Sequence, residues 1–405
     1  MSFSGKRILL GVSGGIAAYK TVELARQLVT AGAQVKVVMT KSATEFITPL
    51  TFASLTGQTV ATGLFGPGIH PLEHIWLGQQ VDALVLAPAT ANLIGKMAHG
   101  IGDDLLTTII LAATKPVLVC PAMNCEMYSN PVVQENLSRL RDRGLWVLEP
   151  DEGPLACGAV GYGRLPKTET ILAVLAKMVS PQDLAGKRLL VTAGPTHEDM
   201  DPVRFLTNRS SGKMGYAVAK AAWRRGARVT LVSGPTSLPD PYGIEMVRVH
   251  SALDMLGEVV SRFPASDALI MAAAVSDYRP ESLAERKIKR GAAALQVTLL
   301  PNPDILKEIS ALKNGQITIG FAAETHDLVQ EAKRKLGEKN LDLIVANHVN
   351  RPGSGFAVDT NEVTLVAKDS EPVVLPLLSK DEVADRIMDW LASRPGFGAE
   401  EVSRV

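Results

Sequence analysis

The chain is short of cysteine, of net charge and of long apolar runs, and each shortage removes a class of protein. Its 405 residues include three cysteines, Cys120, Cys125 and Cys157. An odd number with no C-x-x-C pair excludes a disulfide framework and suggests no zinc site, so a reducing cytoplasm is the expected compartment. Basic and acidic side chains balance at 42 each, which removes any global pull toward nucleic acid or an anionic membrane, although a local basic patch survives such cancellation. No uninterrupted apolar run approaches the ~20 residues of a membrane span, because Lys115 divides the most hydrophobic stretch. Residues 6–18 have the basic start and apolar run of a signal peptide, but Ser13-Gly14-Gly15 breaks that run and a helical pattern follows, so a buried first strand explains it better. Neither G-x-G-x-x-G with a downstream acidic partner nor the Walker pattern G-x-x-x-x-G-K-[ST] occurs; Met214 follows the lysine of Ser210-Ser211-Gly212-Lys213.

What is present is a repeat. Lys6-Arg7-Ile8-Leu9-Leu10 and Lys187-Arg188-Leu189-Leu190-Val191 open two stretches that each continue into a Gly-rich turn and a helix-like segment. A buried parallel strand that delivers the backbone to a helix N-terminus makes an anion site, and phosphate is the usual anion. The fold class is therefore α/β, with two Rossmann-like doubly wound parallel-sheet domains acting on small phosphorylated ligands. The polar, Pro- and Gly-bearing segment 181–186 sets the boundaries: residues 1–180, a connector, and residues 187–405.

In the first domain the pattern predicts a strand over 6–12, a turn at Ser13–Gly15, a helix over 17–30, and strands at 35–39, 81–87 and 117–120. Loops after such strands gather at the carboxyl edge of the sheet, where ligands sit. Pro88-Ala89-Thr90-Ala91-Asn92 and Pro121-Ala122-Met123-Asn124-Cys125-Glu126-Met127-Tyr128 place hydroxyl and amide donors there, which suits a flavin ring and its phosphate. By residue type alone, His74 is an ordinary histidine, Asn124 a turn former, and Cys120 a core thiol; Cys125 has no assignment.

Together with His74-Ile75-Trp76-Leu77, these segments resemble the flavin-dependent cysteine decarboxylases, in particular the phosphopantothenoylcysteine decarboxylase half of the bifunctional coenzyme A biosynthesis family, over nearly the whole first 180 residues. The resemblance implies a flavodoxin-like domain, FMN, a trimer-based assembly, and oxidation of the substrate thiol before carbon dioxide leaves. It implies FMN contacts from Ser13, Gly14, Gly15, Thr40, Pro88, Thr90 and Asn92, catalysis by His74, a substrate carboxylate held by Asn124, and a proton donor in Cys157, within the Gly-rich flap 153–163. Thr90 stands where serine is usual in that family, and Tyr128 where tryptophan is common, which keeps a hydroxyl and an aromatic wall.

In the second domain a long loop is expected from Asp201-Pro202-Val203-Arg204 to Met214-Gly215, then a helix with Met214, Ala217, Val218, Ala221 and Ala222 facing inward. Two hydroxyls, a cation and free N–H groups at that helix start favour an anion. Lys287-Ile288-Lys289 puts two ammonium groups on one side of an extended segment, and Lys335 and Lys339 share one helical face within a charge run that would otherwise be solvated. With the 207–215 loop, Ala272–Tyr278, Asn302–Leu306 and Gly320–Thr325, these residues resemble the phosphopantothenate-cysteine ligase of the same family over about residues 187–390.

That resemblance implies a ligase domain in which CTP with Mg2+ activates 4'-phosphopantothenate as an acyl-cytidylate that L-cysteine then attacks. Lys287 stabilises the triphosphate charge, Asn208 acts on the acyl-cytidylate, and Asp277, Pro303, Asp304, Ile305, Leu306, Phe321, Lys335 and Lys339 contact CTP. The magnesium ligands stay unassigned, and the loop from Asp201, with Arg204, is also a candidate for a dimer interface. Trimeric decarboxylase contacts and dimeric ligase contacts combine, in the fullest case, into a dodecamer. Two other readings stand beside it: a flavin- or NAD-linked oxidoreductase, and a non-catalytic FMN-binding regulatory subunit. No nucleic acid and no membrane partner is expected.

Overall fold

Short apolar runs covered by helices on both faces build the two main sheets, as parallel strands require. The computed structural model describes residues 3–66, 70–154, 158, 160–290, 294–324, 328–348, 355, 358–368 and 370–398. It divides into two compact units, Met1–Ser180 and Pro181–Val405. No helix among the described residues is long and apolar enough to cross a membrane.

The first unit contains β1 (Arg7–Val12), β2 (Gln34–Met39), β3 (Ala83–Ala89), β4 (Val117–Pro121) and β5 (Trp146–Val147). They form one parallel sheet in the order 2-1-3-4-5, the flavodoxin-like winding, so strand order reverses between β1 and β3. Every residue of β3 is buried. The helix Ala18–Thr30 lays Thr21, Leu24, Ala25 and Leu28 on the sheet at helical spacing, and the Thr21 hydroxyl donates to the Ala87 carbonyl at 2.9 Å. The expected flap is an antiparallel hairpin of β6 (Asp151–Pro154) and β7 (Val160–Arg164). Cys157 lies outside the described residues.

The second unit contains β8 (Arg188–Ala193), β9 (His197–Asp201), β10 (Arg204–Thr207), β11 (Arg228–Ser233), β12 (Glu245–Arg248), β13 (Ala268–Met271), β14 (Tyr278–Pro280) and β15 (Leu299–Pro301). β16 (Ile317–Glu324), β17 (Leu343–His348), β18 (Thr360–Asn361), β19 (Val363–Ala367), β20 (Val373–Val374) and β21 (Leu378–Ser379) follow. The main sheet runs 12-11-8-13-16-17-19-20. Its six parallel strands are wound as in a Rossmann sheet, with the reversal between β8 and β13, and β19 and β20 extend it antiparallel. The pairs β9/β10, β14/β15 and β18/β21 are separate ribbons.

Two expectations change. The segment through Asp201 and Arg204 is a hairpin rather than a loop, because the Asp201 carboxylate accepts from Val203 N at 2.8 Å and Arg204 N at 2.9 Å and so turns the chain. The connector 181–186 packs into the second unit: Leu184 is fully buried, its N–H donates to the Arg225 carbonyl at 3.0 Å, and Asp183 pairs with the Arg225 guanidinium. Lys287 and Lys289 lie between β14 and β15 in backbone without regular strand pairing. Helix Lys213–Arg224 buries Ala217, Val218, Ala221 and Ala222 as expected, with Met214 half-buried.

Leu84 sits at 0% exposure in the first core with Leu9, Ile94, Ile109 and Val119. Leu84→Ala is expected to destabilise this unit by about 3 kcal/mol through lost contacts and a residual cavity. Hydrogen exchange checks it: protection in β1, β3 and β4 should fall about 100-fold, while β8 and β13 keep theirs.

Candidate functional sites

The first cavity, of about 1020 Å³, lies at the carboxyl ends of β1, β3 and β4. Its floor begins with Ser13, whose hydroxyl donates to the Pro88 carbonyl at 2.7 Å and accepts from Thr90 N at 3.0 Å, tying together the loops on either side of the strand reversal. Thr90 caps the helix Ala91–His99 through Leu93 N, and Thr40 caps the turn Lys41–Thr44 through Ala43 N. Gly14 is required by close approach: a Cβ there would stand 2.3 Å from Ser42 Cβ and 2.7 Å from its carbonyl carbon. The helix Ala18–Thr30 has no side-chain cap, so its N-terminus presents uncapped polarity beside this turn.

Ser13, Gly14, Gly15, Thr40, Thr90, Asn92 and Asn124 all line the cavity. Pro88 contributes its carbonyl to the floor without lining the space. Asn124 takes both roles its residue type allows, because it lines the cavity and its Oδ1 caps the helix Cys125–Ser129 through Glu126 N at 2.8 Å. His74, on the helix Glu73–Gln79, does not line this chain's cavity. Tyr128 is no cavity wall: it is buried in the core with its hydroxyl on Glu149, burial and that carboxylate push its pKa up to about 12, and Met127 lines the space instead. Cys120 is core, its thiol pKa raised by burial, and Cys125 is half-buried.

Sequence reasoning missed the cationic part of this lining, Lys20, Lys41, Lys96 and Arg164. Burial, with Arg164 nearby, lowers the pKa of Lys20, against an opposite pull from Asp151. Lys20 immediately follows the expected helix start and was legible in principle; Arg164 arrives on β7 from far along the chain. The Gly-lined cradle, the uncapped helix N-terminus and these cations fit a flavin phosphate.

The second cavity, of about 460 Å³, lies at the β8/β13 reversal. Here too a hydroxyl joins the two loops, with Thr196 Oγ1 accepting from Ser276 N at 3.0 Å. Asp277, Pro303, Asp304, Ile305, Leu306, Phe321, Lys335 and Lys339 line it together. Asp304 caps the helix Ile305–Leu312 through Leu306 N and Lys307 N, and its carboxylate meets Lys339 Nζ at 3.0 Å. The charge run divides as its spacing allows: Arg334 pairs with Glu331 and Glu338 at the surface, while Lys335 and Lys339 face the cavity.

Asn208 and Lys287 do not line the space. Asn208 supports its wall, with Nδ2 donating to the carbonyls of Ala274 at 3.1 Å and Val275 at 3.2 Å. Ser210–Met214 does line it, and Gly212, at φ 78°, takes the left-handed turn that starts the helix. Lys380 is a further lining residue without a local sequence signal. It is buried, its Nζ donates to Val358 O at 2.5 Å and Gly355 O at 3.1 Å, and burial lowers its pKa. Among the described residues no three His, Cys, Asp or Glu side chains form a metal cage. Mg2+ uses one or two carboxylates plus phosphate oxygens, so the exposed Asp277 carboxylate fits a magnesium ion that arrives with a nucleotide.

Two family models match the chain. One is described as "Flavoprotein" and covers residues 2–180; the other, "DNA/pantothenate metabolism flavoprotein C-terminal domain", covers residues 184–394. The Coenzyme A biosynthesis bifunctional protein CoaBC of Bacillus subtilis is 48% identical over 397 residues, spanning 96% of this chain and 97% of its own. The protein of the same name from Vibrio cholerae is 49% identical over 391 residues, spanning 96% and 98%. Among solved structures, the C-terminal domain of a Coenzyme A biosynthesis bifunctional protein CoaBC is 45% identical, with a TM-score of 0.45, and covers 53% of this chain and 97% of that one.

Gly14→Ala forces the first-strand turn away from Ser42 and out of the cradle. The expected result is at least a tenfold loss of FMN affinity, about 1.4 kcal/mol, measured by fluorescence titration of the flavin-stripped protein, with the second unit's nucleotide binding unchanged.

Proposed function

The chain belongs to the family of coenzyme A biosynthesis bifunctional proteins, and on that footing we propose that it carries two successive reactions in one polypeptide. The second unit joins L-cysteine to 4'-phosphopantothenate with CTP, and the first decarboxylates 4'-phosphopantothenoylcysteine to 4'-phosphopantetheine with FMN. One observation carries the reading: each unit has its own cavity at the reversal point of its own parallel sheet, and part of the set the resemblance assigns lines each. These are Ser13, Gly14, Gly15, Thr40, Thr90, Asn92 and Asn124 in the first and Asp277, Pro303, Asp304, Ile305, Leu306, Phe321, Lys335 and Lys339 in the second.

In the first unit the uncapped helix N-terminus and Lys20 would hold the flavin phosphate, and the close approach at Gly14 would let the backbone reach it. FMN, when bound, would accept two electrons from the substrate thiol and return the same pair to the decarboxylated product, so that the overall reaction is redox-neutral. Asn124 orients the substrate carboxylate from the cavity wall, and Cys157 returns a proton late in the cycle. His74 stands away from its own chain's cavity, so its catalytic role is exercised in the cavity of another copy, as a trimer-based assembly allows.

In the second unit the phosphopantothenate carboxylate attacks the α-phosphorus of CTP. An acyl–phosphate bond forms, the bond to the β-phosphate oxygen breaks, and pyrophosphate leaves. The cysteine amine then attacks the acyl carbon and CMP departs. Lys335, Lys339 and Asp277 would meet the nucleotide from the cavity lining, where the Asp277 carboxylate could also face a nucleotide-borne magnesium ion, and Lys287, which stands off that lining, would offset charge on the triphosphate. Asn208 holds the Ala274–Val275 wall against which the acyl-cytidylate forms. Dimeric ligase contacts and a cytoplasmic setting complete the proposal.

Purified protein is expected to be yellow with noncovalent FMN, to release pyrophosphate from CTP only when phosphopantothenate is present, and to release carbon dioxide once cysteine is added. Binding of neither FMN nor CTP would refute the proposal. Lys287→Met should lower ligation kcat at least 100-fold, about 2.7 kcal/mol of barrier, and leave decarboxylation of added 4'-phosphopantothenoylcysteine unchanged. Cys157→Ser should still release carbon dioxide but accumulate an unreduced product, and full turnover in that variant removes the proton-donor role.

A further inference from the structure

Lys287 is exposed and lies on a strap, residues 281–290, that leaves β14 and has few anchors of its own. Glu281 N donates to Thr298 O at 3.0 Å, and Ala284 N donates to Met200 O at 3.0 Å. The third anchor is next to the lysine. Ile288 N donates to Asp201 Oδ2 at 3.1 Å, and Ile288 O accepts from Arg204 Nη1 at 3.0 Å.

The Asp201 side chain is 0% exposed. Its Oδ1 receives Val203 N and Arg204 N, while Oδ2 receives Ile288 N and, at 3.0 Å, Arg204 Nη1. Burial alone would raise its pKa, but these donors outweigh burial and hold the carboxyl below its usual range, so it stays ionised. Such charge-assisted bonds are short and directional. The same hairpin continues through β10 to Thr207, whose hydroxyl donates to the Thr196 carbonyl at 2.8 Å, and then to Asn208 on the cavity wall. The hairpin is thus fastened to the cavity loops at one end and to the lysine strap at the other.

We propose that Asp201 is a positioning residue for ligation: acting through Ile288 and Arg204, it fixes the strap so that Lys287 is presented at one place relative to the Asn208–Met214 loop. An exposed lysine on a loose strap spends little time in any one pose, and a buried ionic latch one residue away restricts that search before substrate arrives. The proposal rests on the reading of Lys287 as the cation that meets the triphosphate.

The full chain with bound FMN is compared with Asp201→Asn and Arg204→Met, the second being a partly exposed position that tests the same latch should the first fail to fold. Trypsin cleavage after Arg286, Lys287, Lys289 and Arg290 is timed by mass spectrometry. Both variants are expected to be cut there at least tenfold faster with no gain at other sites, and their ligation kcat at saturating CTP should fall at least tenfold with the cysteine KM unchanged. On a Lys287→Met background, Asp201→Asn should cost nothing further. Unchanged cleavage in both variants overturns the latch, and a loss that adds in full to that of Lys287→Met overturns its action through Lys287. Parental ligation by Lys287→Met alone would refute the role of that lysine, and the cleavage rates would still report the latch separately.

Discussion

A parallel sheet wound outward in both directions must part its loops where strand order reverses, and both cavities occupy that gap. The gap is useful only if the parted loops are held. In each unit a hydroxyl just after the first strand does this work, Ser13 reaching Pro88 and Thr90, and Thr196 receiving Ser276 N. Buried hydroxyls that satisfy backbone groups across the reversal cost little, whereas an unpaired backbone group there would be expensive. Both pockets are therefore open space between fixed walls.

On those walls the side chains that cap helices also face ligand. Thr90, Asn124 and Asp304 each close a helix start with one oxygen while lining a cavity. This coupling puts helix N-termini, with their partial positive charge, at the cavity rim, and cations collect around the same rim. The chain is electrically neutral as a whole, yet Lys20, Lys41, Lys96 and Arg164 converge in one cavity and Lys213, Lys335, Lys339 and Lys380 in the other. Carboxylates match part of that charge on the spot, Asp103 on Lys96, Asp304 on Lys339 and Asp359 on Lys213.

Much of this was readable along the chain. The strands were legible because runs buried on both faces have one pattern, and the glycine turn because only a residue without a Cβ tolerates the approach of Ser42. Lys335 and Lys339 were placed on one face by their spacing alone. The Asp201 hairpin was not legible as a whole: its turn bonds and its ionic partner Arg204 are local, but the backbone of Ile288 that both side chains also hold lies more than eighty positions later. Tyr128 misled for a similar reason: an aromatic beside a ligand loop suggests a wall, but its ring packs in the first core and its hydroxyl turns out to the exposed Glu149 carboxylate, twenty-one positions later.

By itself the sequence determined two repeated strand–turn–helix units and the loops that follow their strands, because these rest on local periodicity and steric limits. Only the tertiary structure decided which distant cations share a cavity, that the 181–186 segment belongs to the second core, and that His74 and Lys287 stand off the cavities of their own chain. Those are matters of distance between residues far apart in the chain, and no local pattern encodes a distance.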